Sequence, residues 1–356
     1  MKKIYFTPGP TELYPTVAAH IENALHEDIC SISHRSSRFK DIFKATRDNL
    51  KILLEIPDNF HIFFIGSATE AMERIIENCV QHKSSHLVNG AFSERFYKTA
   101  LDLKKEPQKI MASFGNGFYE HEIEIDADSE LICVTQNETS TGVALSPDFI
   151  SRMKRRHPEK LIAVDVVSSV PYAALDYKFL DCAFFSVQKG FGLPAGLGVI
   201  IANERCIQKA QSLQEKDFDI GSYHNFPSLL KQAQKCQTSE TPNVLAIYLL
   251  GKVCADYLQS GLSEIRKQTE IKSVALYEFF ENHPQYKPFV KEESFRSHTI
   301  IVSETISESS SMISRAAKQG FIIGSGYGNY KNRHIRIANF PVHSLDNVKS
   351  LLVYLR

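Results

Sequence analysis

The sequence predicts an α/β protein built on a largely parallel sheet, and three observations carry that expectation. Short apolar runs rich in β-branched and aromatic residues alternate with amphipathic helical patterns, the order expected of βαβ units. Several of these runs are apolar on both faces, as strands covered by helices on either side must be. Just past the runs lie glycines, hydroxyls, a carboxylate and a lysine, at the strand ends where open α/β sheets hold their ligands.

Strands are expected at 62–65, 86–88, 131–135, 161–164, 183–187 and 198–202. The best-defined helix follows residue 65, where Met72, Ile75, Ile76 and Cys79 fall on one face and Ser67 with Glu70 supplies a capping-box pattern. From about residue 241 the texture changes. A longer helical stretch over 244–258 leads into Lys/Glu-rich helices, with short strands near 299–302 and 334–337. The expected organisation is an N-terminal arm over 1–15, a large α/β domain over 16–240 and a smaller α+β domain over 241–356. A chain of 356 residues is of two-domain length and can bury enough surface to need no disulfide or metal staple.

Composition removes several function classes. Lys+Arg and Asp+Glu are both 41, so the chain has no net field with which to grip nucleic acid or an anionic membrane. Seven cysteines, an odd number without a CxxC pair or zinc-finger spacing, read as reduced thiols, and no metal site is expected. The charged start at Met1-Lys2-Lys3 reaches Pro8-Gly9-Pro10 before any long apolar region develops. No window approaches the ~20 apolar residues that span a bilayer. A cytoplasmic protein that stays off membranes and nucleic acid is expected.

Three segments behind the strands carry chemistry. Gly66-Ser67-Ala68-Thr69 is a small-residue turn opening a helix, whose free N–H groups and positive dipole end suit a phosphate. Taken alone it reads first as a capped helix without a ligand. Asp165, followed by Val166-Val167-Ser168-Ser169, is costly to bury unless a cation meets it. Gln188-Lys189 precedes a loop with Gly190, Gly192 and Gly196, which can pass close to a bulky planar ligand. Together the segments offer a helix N-terminus for a phosphate, an aspartate for a pyridinium nitrogen and a lysine for an aldehyde. Those are the three handles of pyridoxal 5′-phosphate. The lysine must lose its proton to form a Schiff base, which burial and a nearby cation promote.

In order and spacing, Thr7-Pro8-Gly9-Pro10-Thr11, the segment 66–70, Asn137-Glu138-Thr139-Ser140-Thr141-Gly142, the segment 165–169, Gln188-Lys189 and Arg336 resemble the class-V aminotransferases, which are fold-type I pyridoxal phosphate enzymes. The resemblance runs from about residue 4 to the C-terminus. It implies a large domain with a mostly parallel mixed sheet sandwiched by helices, and a smaller C-terminal α+β domain. By position it implies that Lys189 binds the cofactor and shuttles a proton between the substrate Cα and cofactor C4′, and that Asp165 pairs with the ring nitrogen. Phe92 falls where the family usually stacks a Trp or Tyr on the ring. Thr139 would bond near the ring hydroxyl, and Ser67, Ala68 and Gln188 would hold the phosphate. Thr241 matches a threonine reaching the phosphate from the neighbouring subunit, so a homodimer with sites at the interface is implied. Arg336 matches the arginine that grips the substrate α-carboxylate, for which a planar two-pronged donor is suited and lysine is not.

The substrate marks point two ways. Ser33-His34-Arg35 matches the segment by which the phosphoserine branch holds a substrate phosphate, and with Arg38 it makes a compact cationic cluster. That branch usually has an Arg where this chain has Thr69, and a His-Arg pair at about Asn329-Tyr330. The segment 7–11, Ser140-Thr141-Gly142 and the length of 188–196 look more like the serine/alanine–glyoxylate branch. The phosphoserine branch is favoured because His34 and Arg35 would touch substrate, whereas the opposing marks touch cofactor or scaffold. A cysteine desulfurase-like lyase shares the cofactor handles. A serine acyl-transfer reading of Ser186-Val187-Gln188-Lys189 lacks its companion motifs, and Gly324-x-Gly326-x-Gly328 lacks a following βαβ unit.

Overall fold

The computed structural model describes residues 3–356. The chain begins with β1 (Ile4–Phe6), whose partner comes from the far end of the sequence: Ile4 lies opposite Phe321 in a parallel pair. The expected arm thus begins as a strand of the C-terminal sheet. After α1 (Val17–His26) and α2 (Ser37–Leu53) come β2 (Phe60–Ile65), β3 (Lys83–Val88), β4 (Glu106–Met111) and β5 (Leu131–Thr135). A small hairpin of β6 (Asn137–Glu138) and β7 (Val143–Ala144) leads on to β8 (Leu161–Asp165), β9 (Cys182–Ser186) and β10 (Gly198–Asn203). These form a seven-stranded sheet in the order β2-β10-β9-β8-β5-β3-β4. Only β10 runs antiparallel to its neighbours.

Both faces of this sheet are covered, which explains the continuous apolar runs. In β2, Phe60, Ile62 and Phe64 enter one core while Phe63 and Ile65 enter the other. The connections supply α3 (Ala68–Cys79), α4 (Ala91–Asp102), α5 (Pro147–Arg156), α6 (Glu204–Glu215), α7 (Phe226–Ala233) and α8 (Val244–Ser260). Helices α3, α4, α6 and α7 bury their apolar stripes on the Phe63 side, and α1, α2, α5 and α8 on the Phe60 side. Helix α8, which the expected division at residue 241 assigns to the smaller domain, buries its apolar residues in the Phe60-side core. Thr46 Oγ1 donates to the Ile247 carbonyl and Asn49 Nδ2 to the Gly251 carbonyl, both at 3.0 Å, so α8 is bolted to α2. We propose Gly261, between α8 and the next helix, as the divide.

Beyond it lie α9 (Leu262–Asn282), β11 (Tyr286–Pro288), β12 (Ile300–Thr305), α10 (Ser309–Lys318), β13 (Phe321–Ser325), β14 (His334–Ala338) and α11 (Leu345–Leu355). Their sheet, in the order β1-β13-β14-β12-β11, packs Phe6, Ile301, Ile323 and Ile337 against Leu276 and Phe280 of α9 and Leu351 of α11. Every expected strand forms, with its ends displaced by no more than three residues. The unexpected β4 is an edge strand of half-exposed residues, so no apolar run marks it. Of the expected capping box half forms. The Ser67 hydroxyl accepts the Glu70 N–H at 3.1 Å, but the Glu70 carboxylate reaches back to the Gly66 N–H at 2.8 Å. Among the described residues no helix is long and apolar enough to cross a membrane.

Candidate active site

The segments that follow β2, β5, β8 and β9 meet at one end of the large sheet around a cavity of about 500 Å³. Ser67, Ala68, Phe92, Thr139, Asp165, Gln188 and Lys189 all line it. Sequence reasoning had collected these residues from five separate segments. A second cavity, of about 420 Å³, lies beside Tyr172, Arg266 and Glu270 and holds no comparable lysine–carboxylate pair.

Lys189 lies three residues past β9, with its side chain buried. Its ammonium donates to the Pro8 carbonyl at 2.6 Å and sits 5.8 Å from the centre of the Phe92 ring. Burial first, and then the Arg336 guanidinium, pull it down to about 8, against the opposing carboxylates of Asp165 and Glu138. The segment 7–11 closes over this lysine, and Gly9 is what lets it do so. Its φ is +134°, and a Cβ there would lie 2.3 Å from Lys189 Cδ. Gly190 and Gly192 have a different role from the one expected. Neither lines the cavity; their bare backbones make room for the Val170 carbonyl and for the backbone of Glu12 and Tyr14.

Asp165 ends β8 and is buried. One oxygen accepts the Val167 N–H at 2.9 Å. Among the described residues no side-chain donor meets the carboxylate, although it lines the cavity. Burial pushes its carboxyl up to about 7, the Val167 bond opposes this, Glu138 adds to it and Lys189 again opposes. A cationic N–H placed in the cavity would supply the missing donor.

The phosphate-suited turn has a matching deficit. The Ala68 N–H is taken by Ser186 Oγ at 2.8 Å and the Glu70 N–H by Ser67 Oγ. The remaining helix-start amide, Thr69 N–H, has no acceptor among the described residues, and Gln188 lines the cavity with it. An unpartnered N–H at an open helix start and a desolvated amine facing a donor-poor carboxylate are what a pyridine aldehyde phosphate would complete, so the residues fit pyridoxal 5′-phosphate. Thr139 Oγ1 donates to Ser168 Oγ at 2.8 Å, and Asn137 Nδ2 meets the same oxygen at 2.7 Å, which pins this wall.

Arg336, on β14, donates from Nε to the Ser325 carbonyl at 2.7 Å and from a terminal nitrogen to the Thr139 carbonyl at 3.3 Å. It lies 5.4 Å from the centre of the Tyr327 ring, which lines the cavity. His34, Arg35 and Thr241 stand apart from the cavity. Arg35 donates to Gln237 Oε1 at 2.9 Å and to the Thr238 carbonyl at 3.0 Å, on the segment leading to Thr241. The cationic cluster is smaller than expected, because Arg38 is paired with Glu27 at 3.0 Å.

Two contributors escaped the sequence reading. Glu138 is completely buried and accepts from the Ser93 N–H and Oγ, each at 2.9 Å, from the Phe92 N–H, and from the Ser140 N–H and Oγ. It caps α4 and so aims Phe92. It lies inside the segment 137–142 that carries the family resemblance, but that segment assigns a role only to Thr139. Arg95 and Lys98, on the cavity side of α4, carried no motif at all.

Competing chemistries lose their footing here. Ser186 ends a strand and its hydroxyl is held by Ala68, whereas an acyl-transfer serine should open a helix. Among the described cysteines only Cys30 is exposed and Cys236 half-buried, and none lines the cavity. The glycines 324, 326 and 328 lie in and just after β13 of the small, mostly antiparallel sheet.

Comparison with known proteins points the same way as the geometry. The family model for aminotransferase class-V matches residues 3–329. The solved structure of a phosphoserine aminotransferase from Cytophaga hutchinsonii is 48% identical, covers 99% of this chain and 98% of its own, and superposes with a TM-score of 0.98. A phosphoserine aminotransferase of Corynebacterium glutamicum is 25% identical over 97% of this chain and 92% of its own length. An alanine–glyoxylate aminotransferase from Nostoc sp. shares the fold, with a TM-score of 0.86 at 20% identity, covering 100% of this chain and 94% of its own. A lysine poised to lose its proton above an aspartate that lacks a donor thus has a named setting: this chain is a pyridoxal phosphate-dependent transferase and belongs to the class-V aminotransferases.

Proposed function

We propose that the enzyme is a phosphoserine aminotransferase, exchanging the amino group of O-phospho-L-serine with 2-oxoglutarate to give 3-phosphohydroxypyruvate and L-glutamate. The observation that carries this reading is Arg35, held by Gln237 and Thr238 in an exposed position beside His34 and outside the chain's own cavity. In a homodimer such a pair would serve the partner's site, as would Thr241. The relatives in Cytophaga and Corynebacterium carry the same activity in their names. Arg95 lines the cavity along with Thr69 and supplies a positive charge that the turn itself lacks, whereas Lys98 on the same helix is paired with Glu94 at 3.6 Å. We place the enzyme in the cytoplasm as a homodimer.

Bound pyridoxal 5′-phosphate supplies an aldehyde for amine exchange and a cationic ring that delocalises the electron pair released at the substrate Cα. In this reading Ser67, Ala68 and Gln188 hold its phosphate, Thr139 its ring hydroxyl and Phe92 its face. Asp165, ionised opposite the ring nitrogen, keeps that nitrogen protonated. Arg336 clamps the α-carboxylate, which fixes the Cα–H bond toward Lys189. Lys189 takes the proton from Cα and returns it at C4′, acting as base and then acid. Burial keeps its amine near neutrality, so both roles are open at physiological pH.

The test compares how fast O-phosphoserine, serine and alanine each bleach the absorbance of the bound cofactor in single turnover. O-phosphoserine reacting faster by at least about tenfold is the expected outcome. Equal or faster bleaching by alanine overturns the substrate assignment and leaves the transaminase standing.

A further inference from the structure

Outside the chemistry just described, His224 is a buried imidazole with both ring nitrogens engaged by carboxylates. Nδ1 meets Glu70, the residue that also accepts the Gly66 N–H at the start of the phosphate turn. Nε2 meets Glu240 at 2.7 Å, one residue before Thr241. The Thr238 hydroxyl donates to the Glu240 carbonyl at 2.7 Å, and Arg35 holds the Thr238 carbonyl. One imidazole therefore ties the cavity's helix start to the segment carrying Thr241 and Arg35. Nothing in the mechanism above uses it.

We propose that His224 is a positioning residue for cofactor phosphate, locking the turn at 66–70 to the segment 238–241 through Glu70 and Glu240. The proposal rests on reading that turn as the phosphate cradle. In a homodimer it makes the protomer's own cradle and the threonine it lends to its partner one rigid unit.

The charge around the imidazole supports this. Tyr223 lies on its ring at 4.1 Å between centroids, Arg74 faces Glu70 from within α3, and His34 faces Glu240 from across the segment. Burial alone would lower the imidazolium, but the bonds to Glu240 and Glu70 outweigh it and push His224 up to about 9. A histidine raised by its partners holds them fully below its ordinary value near 6.5 and lets go as pH rises through about 9.

The experiment measures equilibrium binding of pyridoxal 5′-phosphate and of unphosphorylated pyridoxal to the apoprotein by absorbance titration. Wild type, His224→Gln and the milder Glu240→Gln are compared from pH 6.5 to 10. Expected is a loss on the order of tenfold for the phosphorylated vitamer in His224→Gln, the scale of charge-assisted hydrogen bonds, with pyridoxal unchanged. Glu240→Gln should give a smaller loss of the same kind. In wild type the preference for the phosphorylated vitamer should fall above pH 9, and in His224→Gln it should be flat. Equal weakening of both vitamers, or an unchanged preference in both variants, overturns the proposal. A wild type that does not prefer the phosphorylated vitamer overturns the cradle reading instead.

Discussion

The cofactor cavity and the His34–Arg35 patch solve opposite problems with the same kinds of residue. In the cavity, lysine, aspartate and arginine are taken out of water and shifted against one another. Lys189 falls to about 8, close to the proton exchange its chemistry needs, and Asp165 rises to about 7, where a cation placed in the cavity would hold it ionised. On the patch, Arg35 stays exposed and is merely aimed, by neutral oxygens of Gln237 and Thr238. Desolvation inside the chain tunes the cavity groups, whereas in the proposed function substrate choice falls to exposed charges that a partner's surface would bring into use.

That contrast can be broken at several points. Lys189→Ala should lower kcat by about 10⁴-fold or more, the upper end of what one acid–base group contributes, as read in single turnover. Asp165→Asn keeps the acceptor for the Val167 N–H but removes the charge. It should cost about 10²-fold in kcat, in line with deleting one preorganised electrostatic group, while substrate KM moves little. Arg35→Ala should cut kcat/KM for O-phosphoserine by roughly tenfold to a hundredfold through one lost charged contact and leave alanine turnover unchanged. Equal losses for both substrates would make the patch structural and erase the division of labour.

The smallest effect sharpens the cavity side. Only the neutral amine of Lys189 attacks an aldehyde. Recombination of apoprotein with pyridoxal 5′-phosphate should therefore speed up by about tenfold per pH unit below 8 and level off above it. Stopped-flow absorbance across pH 6 to 10 checks this. A rise that continues toward pH 10 would mean that burial does not tune the lysine.

The same division governs what the sequence reveals. Strands such as β5 and β9 are legible because both faces are buried, and the cofactor residues are legible because they follow such strands at fixed offsets. β4 hides because an edge strand needs no apolar run. Glu138 hides because its work is done by hydrogen bonds to α4, a partner that no local pattern announces. The divide we propose lies past 241 because α8 joins the large core through Thr46 and Asn49, 201 and 202 residues before their partners in the chain. Thr69 marks a further limit, since Arg95, the cation that lines the cavity along with it, comes from another helix.

The pairing of β1 with β13 has an outcome for how the protein folds. Residues 4–6 precede nearly all of the chain described, yet their hydrogen-bonding strand is residues 321–323. The stretch that carries Pro8 and Gly9 is held above Lys189 on one side by the Thr11 N–H on the Gln188 carbonyl at 3.3 Å and the Tyr14 N–H on the Gly192 carbonyl at 2.8 Å, and on the other by β1. Forming β1 therefore closes a loop of roughly 300 residues, a long-range pairing of the kind that folds late, so the cover over Lys189 gains its second support only once the C-terminal sheet is in place.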